Sequence, residues 1–84
     1  MAKQTKAFCI RNFGNDRQHD TIDEVIQSCR EHYRGTPIAI HCRTKTGLIR
    51  PVFVDVAETG ELYESYPKGG PRRVTKETLE AVSR

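Results

Sequence analysis

The sequence predicts a single α+β domain over residues 1–84, in the order β-α-β-β-β-α. An antiparallel sheet of three to four strands carries the first helix on one face, and a short helix ends the chain. Three observations predict this. Residues 36–56 (TPIAIHCRTKTGLIRPVFVDV) are dense in strand-forming residues and fold back at Thr44-Lys45-Thr46-Gly47. Ile22, Val25, Ile26, Cys29 and Tyr33 recur at the spacing of one helical stripe. The length of 84 residues with 36% hydrophobic content supports one small core. A homodimer would be a natural way to enlarge so small a core.

The first strand is expected at 6–13, where Phe8 and Ile10 alternate with Cys9 and Arg11. Gly14-Asn15-Asp16 breaks it and opens a loop through 17–19. Thr21 and Glu24 then form a capping box, with Asp20 as a rival N-cap. Asp23 and Glu24 in the first turn, and Arg30 and Arg34 in the last, suit the helix dipole. Gly35 is the left-handed stop, and Pro37 bars continuation.

The second strand, 37–43, puts Ile38, Ile40 and Cys42 on one face and Ala39, His41 and Arg43 on the other. Gly47 closes the turn in the left-handed region. In the third strand, 48–57, Val52, Val54 and Val56 face the helix stripe, while Ile49, Pro51, Phe53 and Asp55 face away. Ala57-Glu58-Thr59-Gly60-Glu61 is a second tight turn before a strand at 61–66. The glycine-rich loop 67–71 leads to a helix from about Thr75, stapled by Val74 and Leu79 and anchored by Leu79 and Val82. Strands two to four form an antiparallel meander. If strand one lies beside strand two, the first helix makes a parallel crossover. The far face of the sheet, with Ile49, Phe53 and one of the tyrosines, is either a partner or dimer surface or is covered by the last helix.

Charge is unevenly spread. The 14 basic and 11 acidic residues give a net +3. No acid precedes Asp16, where Lys3, Lys6 and Arg11 lie. None falls between Glu31 and Asp55, or between Glu64 and Glu77. The two interior gaps hold Arg34, Arg43, Lys45, Arg50, Lys68, Arg72, Arg73 and Lys76, so local fields exceed what the net charge implies. The three cysteines and the absence of an apolar leader or membrane-length run predict free thiols in a cytoplasmic protein, with no membrane partner.

Ile40-His41-Cys42-Arg43 resembles the phosphate loop of the cysteine-dependent phosphatases, in which His-Cys is followed after five residues by an Arg that opens a helix. Here Leu48 occupies that Arg position, Arg50 comes two residues late, and Pro51 with the following valines reads as strand. Catalysis is therefore not expected, and Cys42 reads as a core residue. A metal site drawing on Cys29, His32, His41 and Cys42 is not expected either, because adjacent strand residues point to opposite sides. No other cofactor is implied.

The order of elements over 21–84 is similar to that of double-stranded-RNA-binding domains, which place a basic loop and a helix start on phosphates. The lysine-rich helix start of those domains is replaced here by VTKETLEAV, with Glu77 and Glu80, and an extra strand precedes the first helix. The aromatic residues Phe8, Phe13, Tyr33, Phe53, Tyr63 and Tyr66 read as core or interface rather than as a stacking platform for single strands. The chain is accordingly expected to be a small non-enzymatic binding protein. It would recognise nucleic acid or a nucleoprotein complex through basic loops 43–50 and 68–76, using Arg43, Lys45, Arg50, Lys68, Arg72, Arg73 and Lys76. The competing expectation is a protein-binding regulator or inhibitor, acting through Ile49 and Phe53 on the sheet face or through the acidic hairpin of Glu58, Glu61 and Glu64.

Overall fold

A computed structural model describes residues 4–84; Lys3 and the start of the opening segment lie outside them. The strands are β1 (Phe8–Arg11), β2 (Arg17–His19), β3 (Pro37–Arg43), β4 (Ile49–Val56) and β5 (Leu62–Glu64), and the helices are α1 (Ile22–His32) and α2 (Lys76–Val82). One sheet runs β2-β1-β3-β4-β5 and is antiparallel at every step.

The α+β class and the position of the meander are as the sequence predicts, but residues 17–19 are a strand and not a loop. Asn15 N–H donates to the Asn12 carbonyl at 2.8 Å, and the two residues between them, Phe13 and Gly14, have φ of +45° and +94°. Positive φ at both central positions gives the turn whose twist matches a two-strand hairpin. The chain thus reverses before α1 begins. In consequence β1 lies beside β3 but antiparallel to it, with Phe8 opposite Cys42 and Ile10 opposite Ile40. Among the described residues no parallel pairing forms; α1 instead carries the chain from β2 over β1 to β3.

Helix α1 starts where its cap predicts. Thr21 Oγ1 accepts the Glu24 N–H at 3.2 Å, and the Glu24 carboxylate accepts the Asp20 N–H at 3.0 Å. The helix ends at His32, so Arg34 lies beyond it. Arg34 Nε reaches back to the Arg30 carbonyl at 2.9 Å and satisfies one of the free terminal acceptors. Gly35 is left-handed, as expected, with φ +73°.

Alternation in the strands decides the core. Phe8, Ile10, Ile38, Ile40, Cys42, Val54, Val56 and Leu62 pack against Val25 and Cys29 of α1, against Tyr33 just past its end, and against Val74 before α2 and Leu79 within it. Thr75 and Thr78 exchange hydrogen bonds as a capping box, and the neighbouring Val74 and Leu79 are both buried. Because Leu79 joins the same cluster and α2 touches α1, both helices sit on one face of the sheet. The alternative in which the last helix covers the far face is therefore set aside: among the described residues no helix lies on that face. Beyond β5, residues 72–74 run antiparallel along its edge, with Glu64 N–H to the Arg72 carbonyl at 2.8 Å and Val74 N–H to the Leu62 carbonyl at 2.9 Å. This shields an edge that would otherwise be free to pair with another chain. No helix among the described residues is long and apolar enough to cross a membrane.

Candidate functional site

Residues directly opposite in an antiparallel pair share a face. On the helix-free face this register aligns Arg11 with Ala39 and Phe53, Cys9 with His41 and Pro51, and Arg43 with Ile49. Asp55 is the single acid in β1, β3 and β4, and its carboxylate accepts the Ser65 hydroxyl at 3.0 Å. The face is thus apolar and basic from its centre to the β3–β4 turn. That turn carries Lys45, with Leu48 58% and Ile49 43% exposed beside it.

All seven cations expected to bind are exposed. Among the described residues, Lys45, Arg50, Lys68 and Arg72 make no side-chain hydrogen bond or ion pair, whereas the other three are engaged. Arg43 Nη2 reaches the Thr5 carbonyl at 3.5 Å. Arg73 lies 3.7 Å from Glu61 and stacks 5.8 Å from the centre of the Tyr63 ring. Lys76 pairs with Asp23 of α1 at 3.4 Å. The two basic groups occupy different ends of the sheet. Arg43 stands opposite Ile49, and Arg73 bridges to Tyr63, which stands opposite Asp55. That is six residues, or about 20 Å, along the strand direction. Within the first group the register also divides the charges. Arg43 is on the open face, while Arg50, opposite Cys42, is on the helix face.

The open face also holds three rings that the sequence did not bring together. Phe13, Phe53 and Tyr66 line one groove of about 290 Å³, with Ala39, Arg11 and Asp55 among its other residues. They are 93%, 59% and 94% exposed. Phe13 and Tyr66 are also the two non-glycine residues with positive φ among those described, at +45° and +53°. Such a backbone costs roughly 1–3 kcal/mol at each position. Neither ring regains it by burial. Asn would suit the first central position of the 12–15 turn better than Phe. Tyr66 precedes Pro67, a place that favours extended backbone. The signal was present as Asn-Phe-Gly-Asn and Tyr-Pro, but the first strand was expected to run on to Phe13 and the fourth to Tyr66.

The thiols are packing groups. Cys9, Cys29 and Cys42 are free and buried. Burial pushes the Cys29 thiol up to about 12 and raises Cys42, where a contact with Ser83 opposes the shift only in part. A protonated buried thiol is a poor nucleophile. Cys29 is inside the core while His32 is exposed and lies 3.6 Å from Glu31, so the helix pair does not converge on an ion. Among the described residues no three His, Cys, Asp or Glu side chains gather as a metal would require. Compared with protein-family models, with curated proteins and with solved structures, the chain matches none.

Proposed function

We propose that this chain is a non-enzymatic binding protein of a reducing, cytoplasmic setting that takes nucleic acid or a nucleoprotein complex through its basic loops. The observation that carries the reading is the group of exposed cations with no partner inside the described protein: Lys45 and Arg50 at the β3–β4 turn, and Lys68 and Arg72 before α2. Unpaired, solvated cations lose little on meeting phosphate, and each contact releases counterions. The turn group is the stronger of the two. It adjoins the open face, whereas Arg73 and Lys76 are already engaged by Glu61 and Asp23.

The test is oligonucleotide binding measured over a salt series. The wild-type chain is expected to lose affinity steeply as salt rises. Arg43→Ala with Lys45→Ala is expected to weaken binding uniformly across sequences and to flatten the salt slope by about 0.7–0.9 per contact removed. Equal affinity of the double variant and the wild-type chain would overturn the reading.

A second reading, a protein partner on the same open face, is favoured by the three exposed rings. The acidic hairpin is less suited to that role, since Glu61 already accepts the Tyr63 hydroxyl at 2.6 Å and pairs with Arg73. Affinity capture of a defined protein, unchanged by nuclease and lost in Phe53→Ala, would select this reading instead.

A further inference from the structure

We infer that the ligand is single-stranded nucleic acid, with unpaired bases stacked in the groove of Phe13, Phe53 and Tyr66 and the backbone running along β3 and β4 to the basic turn. This rests on the nucleic-acid reading above and narrows its ligand class. Three observations carry it, the first two independent of the loop cations.

The first is ring placement. Three aromatic side chains stand exposed around one groove on a sheet face that no helix covers. Aromatic rings stack on the faces of bases, and those faces are accessible only where the strand is unpaired; a duplex hides them. The second is backbone conformation. The two outermost rings are displayed by left-handed residues, at Phe13 and Tyr66, where residues better suited to the turn would present no ring. A local rule broken without gain in packing marks a functional position.

The third is polarity. Arg11 brings a cation to the groove, which also holds Asp55. From Phe53 to Ile49 the face continues for four residues, about 13 Å, to Arg43 and then Lys45, with no acid on the way. A base platform that leads into a track of cations fits a polyanion with aromatic side groups. A second copy fits less well, because stacking two such faces would oppose Arg11 and Arg43 to their own like charges with one Asp55 per copy.

The experiment is fluorescence anisotropy of end-labelled oligo(dT) and oligo(U) of twelve nucleotides, beside a twelve-base-pair duplex, with the full chain at low salt. Single strands are expected to bind at least about tenfold tighter than the duplex. Phe53→Ala is expected to weaken single-strand binding at least about fivefold and to leave duplex binding unchanged. Phe53→Tyr restores the single-strand affinity. Phe53 is 59% exposed, so circular dichroism of the Ala variant should match the wild-type chain. The chain has no Trp, so Tyr66 adds a direct optical readout: quenching of tyrosine emission by oligo(dT) that Tyr66→Phe diminishes.

Single strands and duplex bound alike, with Phe53→Ala silent but Arg43→Ala and Lys45→Ala weakening both, would overturn the stacking inference and leave the nucleic-acid reading standing. No binding of any oligonucleotide would overturn both. A homodimer in sedimentation that Phe53→Ala disperses and that oligo(dT) does not displace, or a peptide ligand lost in that variant and indifferent to oligo(dT), would overturn the inference in favour of a protein occupant.

Discussion

Two turns of this protein close alike but sit in different surroundings. At the β3–β4 turn, Thr44 N–H donates to the Leu48 carbonyl at 2.7 Å, and Gly47 N–H returns to the Thr44 carbonyl at 3.0 Å. At the β4–β5 turn, Ala57 N–H donates to the Glu61 carbonyl, and Gly60 N–H returns to the Ala57 carbonyl, both at 2.8 Å. The glycines have φ of +89° and +90°. The central tripeptides of the two turns differ at one position, Lys-Thr-Gly against Glu-Thr-Gly. Yet the first turn stands clear, with nothing within 4 Å of where a Gly47 Cβ would lie. The second is braced on α1. A Cβ on Gly60 would meet Arg30 Cγ at 2.8 Å, and the Glu58 carboxylate lies against Gly35. Local sequence sets the shape of a turn, and its surroundings decide whether it stabilises the fold or is left free to bind.

The largest expected difference between the turns is in stability. Gly60→Ala combines left-handed strain with a clash on α1 and should cost about 2–4 kcal/mol. Gly47→Ala meets strain alone and should cost about 1 kcal/mol. Urea titration of the two variants checks this, and equal losses would break the contrast. Binding should show the reverse. Lys45→Glu is expected to lower oligonucleotide affinity about tenfold with an unchanged melting temperature, while Glu58→Lys should move binding far less.

The 12–15 turn extends the comparison, because there one residue both shapes the turn and lines the proposed binding groove. Phe13→Asn removes a nearly fully exposed ring from a left-handed position. It should stabilise the fold by about 1 kcal/mol, near 4–8 °C in melting temperature, while weakening single-strand binding. A loss of stability would mean that the ring packs in solution.

The smallest effect is pH dependence. His19 and His41 titrate below the ordinary histidine range, in both cases chiefly through burial; Lys6 and Arg17 add to the effect at His19 and Arg11 at His41. A lowered folded pKa means that the unfolded chain takes up protons first. These two groups therefore contribute their full stability above about pH 6.5 and lose it as pH falls through their folded values. Melting temperature should decline from pH 7 to pH 5, and less so in His19→Gln with His41→Gln.

Much of the fold was legible because its signals are local. The apolar stripe from Ile22 to Tyr33 and the Thr21 cap placed α1, and alternation through β3 and β4 put Ile40 and Val54 inside and Phe53 outside. What escaped reading depended on distant contacts. Arg17-Gln18-His19 carries no apolar alternation, and becomes a strand because β1 offers it an edge. The side taken by α2 turned on where Leu79 finds its core, which no local pattern states. For the site, the cations in the charge gaps are exposed, but the sequence does not tell which of them already have partners, as Arg43, Arg73 and Lys76 do. The aromatic groove was missed because Phe13 and Tyr66 are far apart in sequence and resemble strand residues.

The most direct test of the account is the salt dependence of oligo(dT) binding for the wild-type chain beside the Arg43→Ala, Lys45→Ala double variant. Log affinity of the wild-type chain is expected to decline in a straight line with log salt, with a slope shallower by about 1.4 in the variant, two contacts at about 0.7 each for a single strand. Identical slopes, or no binding at 50 mM salt, would contradict it.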